Sequence, residues 1–185
     1  VPIWYGFMKH SVWPEGPHIY KKDGWYYLLY AESGTEQHHC IAVARSRMIE
    51  GPYEGCPDNP IFTHRHLGKK YPVTCVGHGD LVEDNQGNWY MVLLACRPQE
   101  GYTLKGRETF LAKVEWEDGW PVVNPGMGHL ELPETDVTVK KQYHFEQNHW
   151  DLELLRLRNS GKIQMLNGRM RMWLVAGTLS ERKET

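Results

Sequence analysis

The chain has 185 residues, 24% of them charged, and a formal net charge of −2 at pH 7. This balance excludes the basic field that holds nucleic acid or an anionic membrane surface, and no apolar run approaches the roughly 20 residues that span a bilayer. Aromatic side chains make up 12% of the sequence, alongside 18 glycines and 11 prolines. That mixture is typical of short strands joined by tight turns, so the composition predicts an all-β protein with no nucleic-acid or membrane partner.

The first half of the chain carries a run of strand signals. An Asp23-Gly24 link joins predicted strands at 19–22 and 25–31, and Asp-Gly between alternating apolar residues is among the strongest short-range hairpin signals. The next predicted elements are a third strand at 40–45, a fourth near Tyr53, and a long connection over 55–74.

The strand pattern then starts again, and this is the most informative feature of the sequence. Residues 81–95 parallel 19–32 with one residue added in the turn, and 112–119 parallel 44–51 with the same spacing from Ala to Gly. Two unrelated hairpins can share a turn type by chance, but agreement in the later strand as well argues against chance. A repeat of this length, holding about four short strands, is typical of a β-propeller blade.

The composition shifts after the second repeat. Residues 1–126 are predicted to form part of a propeller, 127–141 a connector, and 142–185 the opening strands of a second β-domain. Two blades cannot close a propeller, because open blades leave sheet edges unpaired. The chain also begins without Met and shows no signal peptide, so it is expected to be a segment of a longer protein, and its localisation is left open.

The four cysteines, at 40, 56, 75 and 96, form no Cys-x-x-Cys pair, which argues against a zinc site. Three of them lie in or next to apolar strand-like runs, where free cysteine behaves as a small hydrophobic residue. Reduced core cysteines are therefore favoured over a disulfide framework.

Glu15 is the first candidate functional residue. It stands in Trp-Pro-Glu-Gly-Pro-His (13–18), where two prolines fix the backbone and remove two donors. A carboxylate held rigidly beside an indole suits a general acid, because apolar surroundings favour its protonated form. The alternative is an ordinary surface turn residue.

Two further candidates follow from the repeat. Gly-His-Gly-Asp (77–80) and 13–18 occupy equivalent points just before the innermost strand of each blade, so His78 and Glu15 are predicted to be neighbours at the central channel. Arg107 is expected to enter the next inner-facing strand, where a guanidinium could bind sugar hydroxyls or a carboxylate. His38-His39 and His64-x-His66 are predicted to be solvated loop histidines rather than metal ligands.

At these residues the sequence resembles glycoside hydrolase family 43, the β-xylosidase and α-L-arabinofuranosidase family with a five-bladed propeller. The matching segments, in order, are 13–24, 44–46, 51–54, 59–61, 77–84, 106–109 and 116–124. The resemblance implies a partial five-bladed β-propeller of about two blades, followed from 142 by the start of a lectin-like β-sandwich. It also implies an inverting hydrolase of xylose- or arabinose-containing oligosaccharides.

By this resemblance Glu15 is the general acid that protonates the departing glycosidic oxygen. Arg107 contacts the sugar and the catalytic carboxylates, while Trp13 and Thr35 contact the substrate. His78 lies at the propeller centre, where many members hold a cation or water. No cofactor is required, although a structural calcium or other cation in the channel is allowed.

The same resemblance shows what the segment lacks. The family's aspartate base and its second, acid-tuning aspartate belong to blades before Glu15, and residues 1–12 contain no Asp. The chain alone is therefore expected to be inactive. Two other classes of function stay open, a carbohydrate-binding module that stacks sugars on Trp and Tyr rings and a propeller that serves as a protein-interaction platform.

Overall fold

The structure is a computed structural model that describes residues 2–10, 12–132, 142–146 and 162–173. The chain divides into two compact units, Val1–Glu134 and Thr135–Thr185. All regular elements among the described residues are β-strands, as the composition predicts. The described part has no helix that is long and apolar enough to cross a membrane.

The first unit opens with a four-stranded antiparallel sheet in the order β1-β2-β3-β4. Its strands are β1 (Glu15–Lys22), β2 (Trp25–Glu32), β3 (Cys40–Ser46) and β4 (Glu54–Gly55). The predicted hairpin is confirmed, since Asp23 and Gly24 both adopt positive φ (48° and 75°) between paired strands. β1 begins at Glu15 rather than at 19, because a bulge between Glu15 and His18 lets the Pro-containing segment stay in the sheet.

The second sheet repeats the first, in the order β5-β6-β7-β8. Its strands are β5 (Thr74–Glu83), β6 (Trp89–Cys96), β7 (Glu108–Glu117) and β8 (Trp120–Val123). The parallel between 44–51 and 112–119 is confirmed, because Ala44 lies on the third strand of one sheet and Ala112 on the third strand of the other. Each sheet therefore has the four-stranded meander of a propeller blade.

The core of this unit lies between the two sheets. Its buried members include Leu29, Ile41 and Val43 from the first sheet and Val76, Met91 and Leu93 from the second. Burying an aliphatic side chain of this size contributes about 1.5–3 kcal/mol, so the interface between the blades supplies much of the stability. The opposite face of the first sheet is also apolar, with Tyr30 and Ala42 packed beneath Trp4 and Phe7.

Polar side chains also connect the two blades, in two separate groups of contacts. At one end the Tyr27 hydroxyl and the Arg45 guanidinium both donate to the Gly119 carbonyl, at 2.8 and 2.9 Å. The guanidinium also lies over Trp25 and Trp120, 4.3 and 4.1 Å from the ring centroids, in a cation–π arrangement. Elsewhere the Tyr20 hydroxyl donates to the Asp80 carboxylate and accepts from the Leu81 N–H at 2.9 Å.

His64 corrects one prediction about the loop histidines. Its side chain is buried rather than solvated, although His66 is exposed. Nδ1 donates to the Val73 carbonyl at 2.7 Å, and Nε2 accepts from the Leu130 N–H at 2.9 Å. A neutral ring satisfies both contacts, and burial lowers the pKa of His64 because it disfavours the charged form.

This lowered pKa predicts that stability decreases in mild acid. A histidine in an unfolded chain has a pKa of about 6.5. Below that pH the unfolded chain therefore binds a proton that folded His64 does not bind. The contribution of neutral His64 to the free energy of unfolding is complete above about pH 6.5. It is lost as the pH falls toward the pKa of His64 in the folded protein, with a slope of at most about 1.4 kcal/mol per pH unit. Urea unfolding between pH 7.5 and 5.5 measures it.

The matched variant is His64→Gln, because the glutamine amide can donate to Val73 and accept from Leu130 without titrating. We expect the unfolding free energy of the variant to vary less with pH over this range. Equal pH slopes in the two proteins would show that His64 is not held neutral in the native state.

The second unit is described over 142–146 and 162–173. Within it, β9 (Ile163–Leu166) and β10 (Arg169–Met172) form an antiparallel hairpin. Asn167 and Gly168 make the turn with φ of 51° and 70°, which fits a two-residue connection of strands. The rest of the predicted sandwich, including the alternating leucines at 152–157, lies outside the described residues, and that domain assignment stays a prediction.

Candidate active site

Glu15 is the first residue of β1, at the edge of the interface between the blades. The bulge after it and the positive φ of Trp13 (47°) and Gly16 (58°) turn the chain sharply there. The carboxylate is 43% exposed, so the described residues do not bury it as the apolar surroundings in the sequence suggest. Its oxygens face solvent on one side and two histidines on the other.

His78 lies inside β5 rather than before it, within the register shift between Gly77 and Gly79. Its φ of 52° is left-handed, which is uncommon for a residue with a Cβ and frequent at functional sites. The turn brings Nδ1 within 3.6 Å of Glu15 Oε1. The ring also packs on Gly16, where a Cβ would stand 2.7 Å from Nε2. His78 and Glu15 are therefore neighbours, as the repeat predicts.

His39 is the site residue that the sequence reasoning missed. It was predicted to be a solvated loop histidine, but its side chain is fully buried at the start of the interface. Nδ1 lies 3.2 Å from the Cys75 carbonyl, and because a carbonyl only accepts, that nitrogen carries the proton. The ring packs on Gly77 of the other sheet, at a place that leaves no room for a Cβ.

Electrostatics connect His39 to the other candidates. Burial is the main cause that lowers the pKa of His39, and the charges of His78 and Arg107 lower it further. The Cys75 carbonyl and the Glu15 carboxylate act in the opposite direction. The charge of Arg107 thus reaches the cluster. Arg107 is exposed and directly precedes β7, the third strand of its sheet.

A solvent-open pocket of about 360 Å³ adjoins the carboxylate of Glu15. It is lined by Trp13, Glu15, Ser33, Gly34, Thr35, Glu36 and His38. The Trp13 ring is 70% exposed and lies against Gly34, where a Cβ would come within 2.8 Å. An exposed indole face beside hydroxyl and carboxylate groups is a surface that suits a sugar ring. The structure thus brings Trp13, Thr35 and Glu15 to one cavity.

A family model agrees with this arrangement. Residues 2–121 match the model described as glycosyl hydrolases family 43. The chain belongs to this family. The match spans both sheets and includes the whole cluster of Glu15, His39, His78 and Arg107.

Individual members of family 43 are also similar to this chain in sequence. The chain is 59% identical over 159 residues to a xylosidase/arabinosidase of Butyrivibrio fibrisolvens, covering 80% of this chain and 31% of that protein. It is 46% identical over 112 residues to a non-reducing end α-L-arabinofuranosidase of Bacteroides ovatus, covering 60% of this chain and 21% of that protein. The chain thus spans less than a third of the length of these relatives.

Solved structures support the same fold. The chain superimposes on the family 43 protein BlXynB of Bacillus licheniformis with a TM-score of 0.70 and 41% identity, over 83% of this chain and 31% of that one. The two sheets are accordingly blades of a family 43 β-propeller. Family 43 enzymes are generally independent of cofactors.

Proposed function

We propose that these two blades carry the acid half of a glycosidase site that hydrolyses xylose- or arabinose-containing oligosaccharides with inversion. The observation that supports this most directly is the position of Glu15, which lies on a pocket fit for a sugar ring with His78 3.6 Å away. An interaction platform has no need for a carboxylate and two histidines from different blades at one point.

Each candidate residue has a distinct task in this proposal. The protonated Glu15 carboxyl donates its proton to the glycosidic oxygen as the bond to the sugar breaks. The Trp13 face stacks on the sugar, and the Thr35 hydroxyl and Arg107 guanidinium bind its hydroxyl groups. His78, packed on Gly16, limits the rotamers of the acid and keeps it directed at the pocket.

Inversion also needs a base about 6.5–9.5 Å from the acid, with a water molecule between them. The family resemblance assigns that base to an aspartate in a preceding blade, and residues 1–14 contain no Asp. The proposal therefore predicts no turnover of nitrophenyl xylosides or arabinosides by the 185-residue chain alone.

The experiment that tests the proposal is a chimera. This segment replaces the matching third of the Butyrivibrio fibrisolvens relative, to which it is 59% identical, so that the other blades supply the missing carboxylates. We expect the chimera to hydrolyse nitrophenyl β-xyloside or α-L-arabinofuranoside, whereas the chain alone does not. A folded chimera without turnover, or turnover by the chain alone that Glu15→Gln lowers, contradicts the proposal.

A second candidate is sugar binding without chemistry, which the exposed Trp13 ring would also support. The two candidates differ at Glu15. In a lectin Glu15→Gln changes affinity and no rate, whereas in a glycosidase it sharply lowers turnover of xylobiose and leaves binding of a xylo-oligosaccharide nearly intact. The relatives include proteins named for xylosides and for arabinofuranosides, so both substrates belong in the assay.

The calcium that the resemblance allows does not fit the residues at this point. Calcium takes six to eight oxygen ligands, whereas the cluster around His78 offers two imidazole rings and one carboxylate. No step of the proposed reaction depends on such an ion. For the rest of the chain, we propose that 142–185 begin a lectin-like β-sandwich after the propeller segment 1–126 and the connector 127–141.

A further inference from the structure

We propose that Cys75 and Cys96 form a reversible disulfide that joins β5 to β6 when a small disulfide such as glutathione disulfide oxidises them. All four cysteines of the chain are free thiols in the structure, so the pair is seen there in its reduced state. It adjoins the candidate active site, because the Cys75 carbonyl accepts from Nδ1 of His39. The modification does not depend on the proposed glycosidase activity.

The strand pairing places the two Cα atoms at a distance that a disulfide can span. Thr74, the residue before Cys75, pairs directly with Cys96 in the antiparallel ladder. Paired residues have Cα atoms about 4.5–5.5 Å apart, and neighbours along a chain are about 3.8 Å apart. These two steps are nearly perpendicular, so Cys75 and Cys96 are roughly 6–6.7 Å apart at Cα, inside the range of about 4.4–6.8 Å for disulfides.

A bulge in β5 brings the two thiols to the same side. In a regular strand the side chain of Cys75 would point to the face opposite Thr74 and Cys96. Between the pairs made with Cys96 and Leu94, however, β5 advances three residues and β6 only two, so the alternation of side chains is interrupted. Cys75 lies in this bulge with a left-handed φ of 57°. Its thiol makes a side-chain hydrogen bond with the thiol of Cys96.

The two thiols differ in access, and this difference gives the order of the reaction. Cys75 is partly exposed, whereas Cys96 is buried and burial raises the pKa of its thiol. The Cys75 thiolate therefore attacks one sulfur of glutathione disulfide and releases a glutathione thiolate. Cys96 then gives up its proton and attacks the Cys75 sulfur, which releases the second glutathione. Two protein thiols are oxidised, and one glutathione disulfide is reduced to two glutathione molecules that take up both protons.

The other two cysteines serve as internal controls. Cys40 and Cys56 are buried in the first sheet, at 0% and 6% exposure. Cys40 pairs with Glu32 on β2, and the N–H of Cys56 donates to the Val43 carbonyl. Because their strand partners are not cysteines, both should stay thiols under the same treatment.

The test is equilibration of the folded 185-residue chain with excess glutathione disulfide at about pH 8, followed by alkylation in denaturant and peptide mass mapping. Trypsin leaves both cysteines of the pair in one peptide, 71–105, and a second cleavage after Glu83 separates them. We expect 71–105 to carry no alkyl group and to be lighter than its reduced form by two hydrogen atoms, about 2 Da. The two control cysteines should be alkylated, and dithiothreitol should restore four thiols.

Two serine variants separate the steps. Cys96→Ser removes the thiol that completes the exchange, so Cys75 should keep a bound glutathione and gain about 305 Da. Cys75→Ser removes the accessible thiol, so Cys96 should remain a thiol. Thermal unfolding checks that each variant is folded. If Cys96→Ser does not fold, Cys75→Ser carries the decision, because position 75 is only partly buried.

Three results would overturn the pairing. The first is a treated wild-type chain in which Cys75 and Cys96 are both still thiols. The second is a glutathione adduct on Cys75 that Cys96 does not displace. The third is a disulfide from either residue to Cys40 or Cys56.

One consequence rests on the proposed function. The disulfide draws Cys75 toward β6, and the Cys75 carbonyl holds the His39 ring beside Glu15. Oxidation should therefore lower turnover of xylobiose by the active chimera about tenfold or more, since a displacement of about 1 Å near a site can cost 10²-fold. Dithiothreitol should restore the rate, and Cys75→Ser should make it insensitive to oxidation.

The two proposals fail in different ways. A disulfide that forms in the chimera without changing turnover would overturn this consequence and leave the pairing standing. A folded chimera without turnover would contradict only the glycosidase proposal, because the mass measurement on the 185-residue chain needs no activity.

Discussion

Glu15→Gln in the chimera is expected to lower kcat by about 10²–10⁴-fold, the usual contribution of a positioned general acid. Glutamine keeps the size of the side chain and removes the transferable proton. The loss should be greatest for xylobiose, whose leaving group is a second xylose and whose departing oxygen must be protonated. It should be much smaller for a nitrophenyl xyloside, because nitrophenolate leaves without a proton. Initial rates on the two substrates measure the contrast.

The matched control is Glu36→Gln, which removes a carboxylate from the same pocket at an exposed position. Its kcat should stay within a few-fold of the parent on both substrates. An equal loss on xylobiose and on the nitrophenyl substrate in the Glu15 variant would contradict the acid role, since proton donation must depend on the leaving group.

Gly77→Ala is expected to cost about 1–3 kcal/mol of unfolding free energy, the range for forcing an extra carbon into a packed interior. Gly77 is buried in β5, and the new Cβ would overlap the His39 ring. Neither partner can yield easily, because His39 is held by the Cys75 carbonyl and Gly77 pairs with Leu94 on the next strand. Urea unfolding of the chain gives the difference directly.

Gly55→Ala provides the comparison for Gly77→Ala. Gly55 also lies on a strand, but its added Cβ would meet Trp4 at 3.4 Å, an ordinary contact. Its unfolding free energy should change by less than about 0.5 kcal/mol. Equal effects of the two substitutions would mean that loss of glycine in a strand, rather than the contact with His39, sets the cost.

The propeller blades could be predicted from sequence because their signals are local. Asp23-Gly24 favours the two positive φ values of a two-residue hairpin turn, and the apolar residues on either side determine which face is buried. The repetition of this unit after residue 80 then predicts the propeller architecture, even though the sequence does not show which residues are in contact. The proximity of Glu15 and His78 followed from that repetition, because equivalent positions of neighbouring blades lie side by side.

The buried histidines could not be found in this way, because their burial depends on the neighbouring sheet. His38 and His39 are adjacent in sequence, yet one is exposed and the other is sealed beneath Gly77. No local pattern separates them. Arg107 directly precedes β7, the third strand of its sheet, and its contact with the sugar stays a prediction.

The two histidines of the cluster are exchanged between the blades. His78 of the second sheet rests on Gly16 of the first, and His39 of the first rests on Gly77 of the second. A larger residue at either glycine is therefore compatible only with a smaller one in place of the histidine across the boundary. Substitutions at these four positions are therefore expected to be coupled across the boundary, and a blade transplanted from a distant homologue should fit best together with the neighbour that it faces.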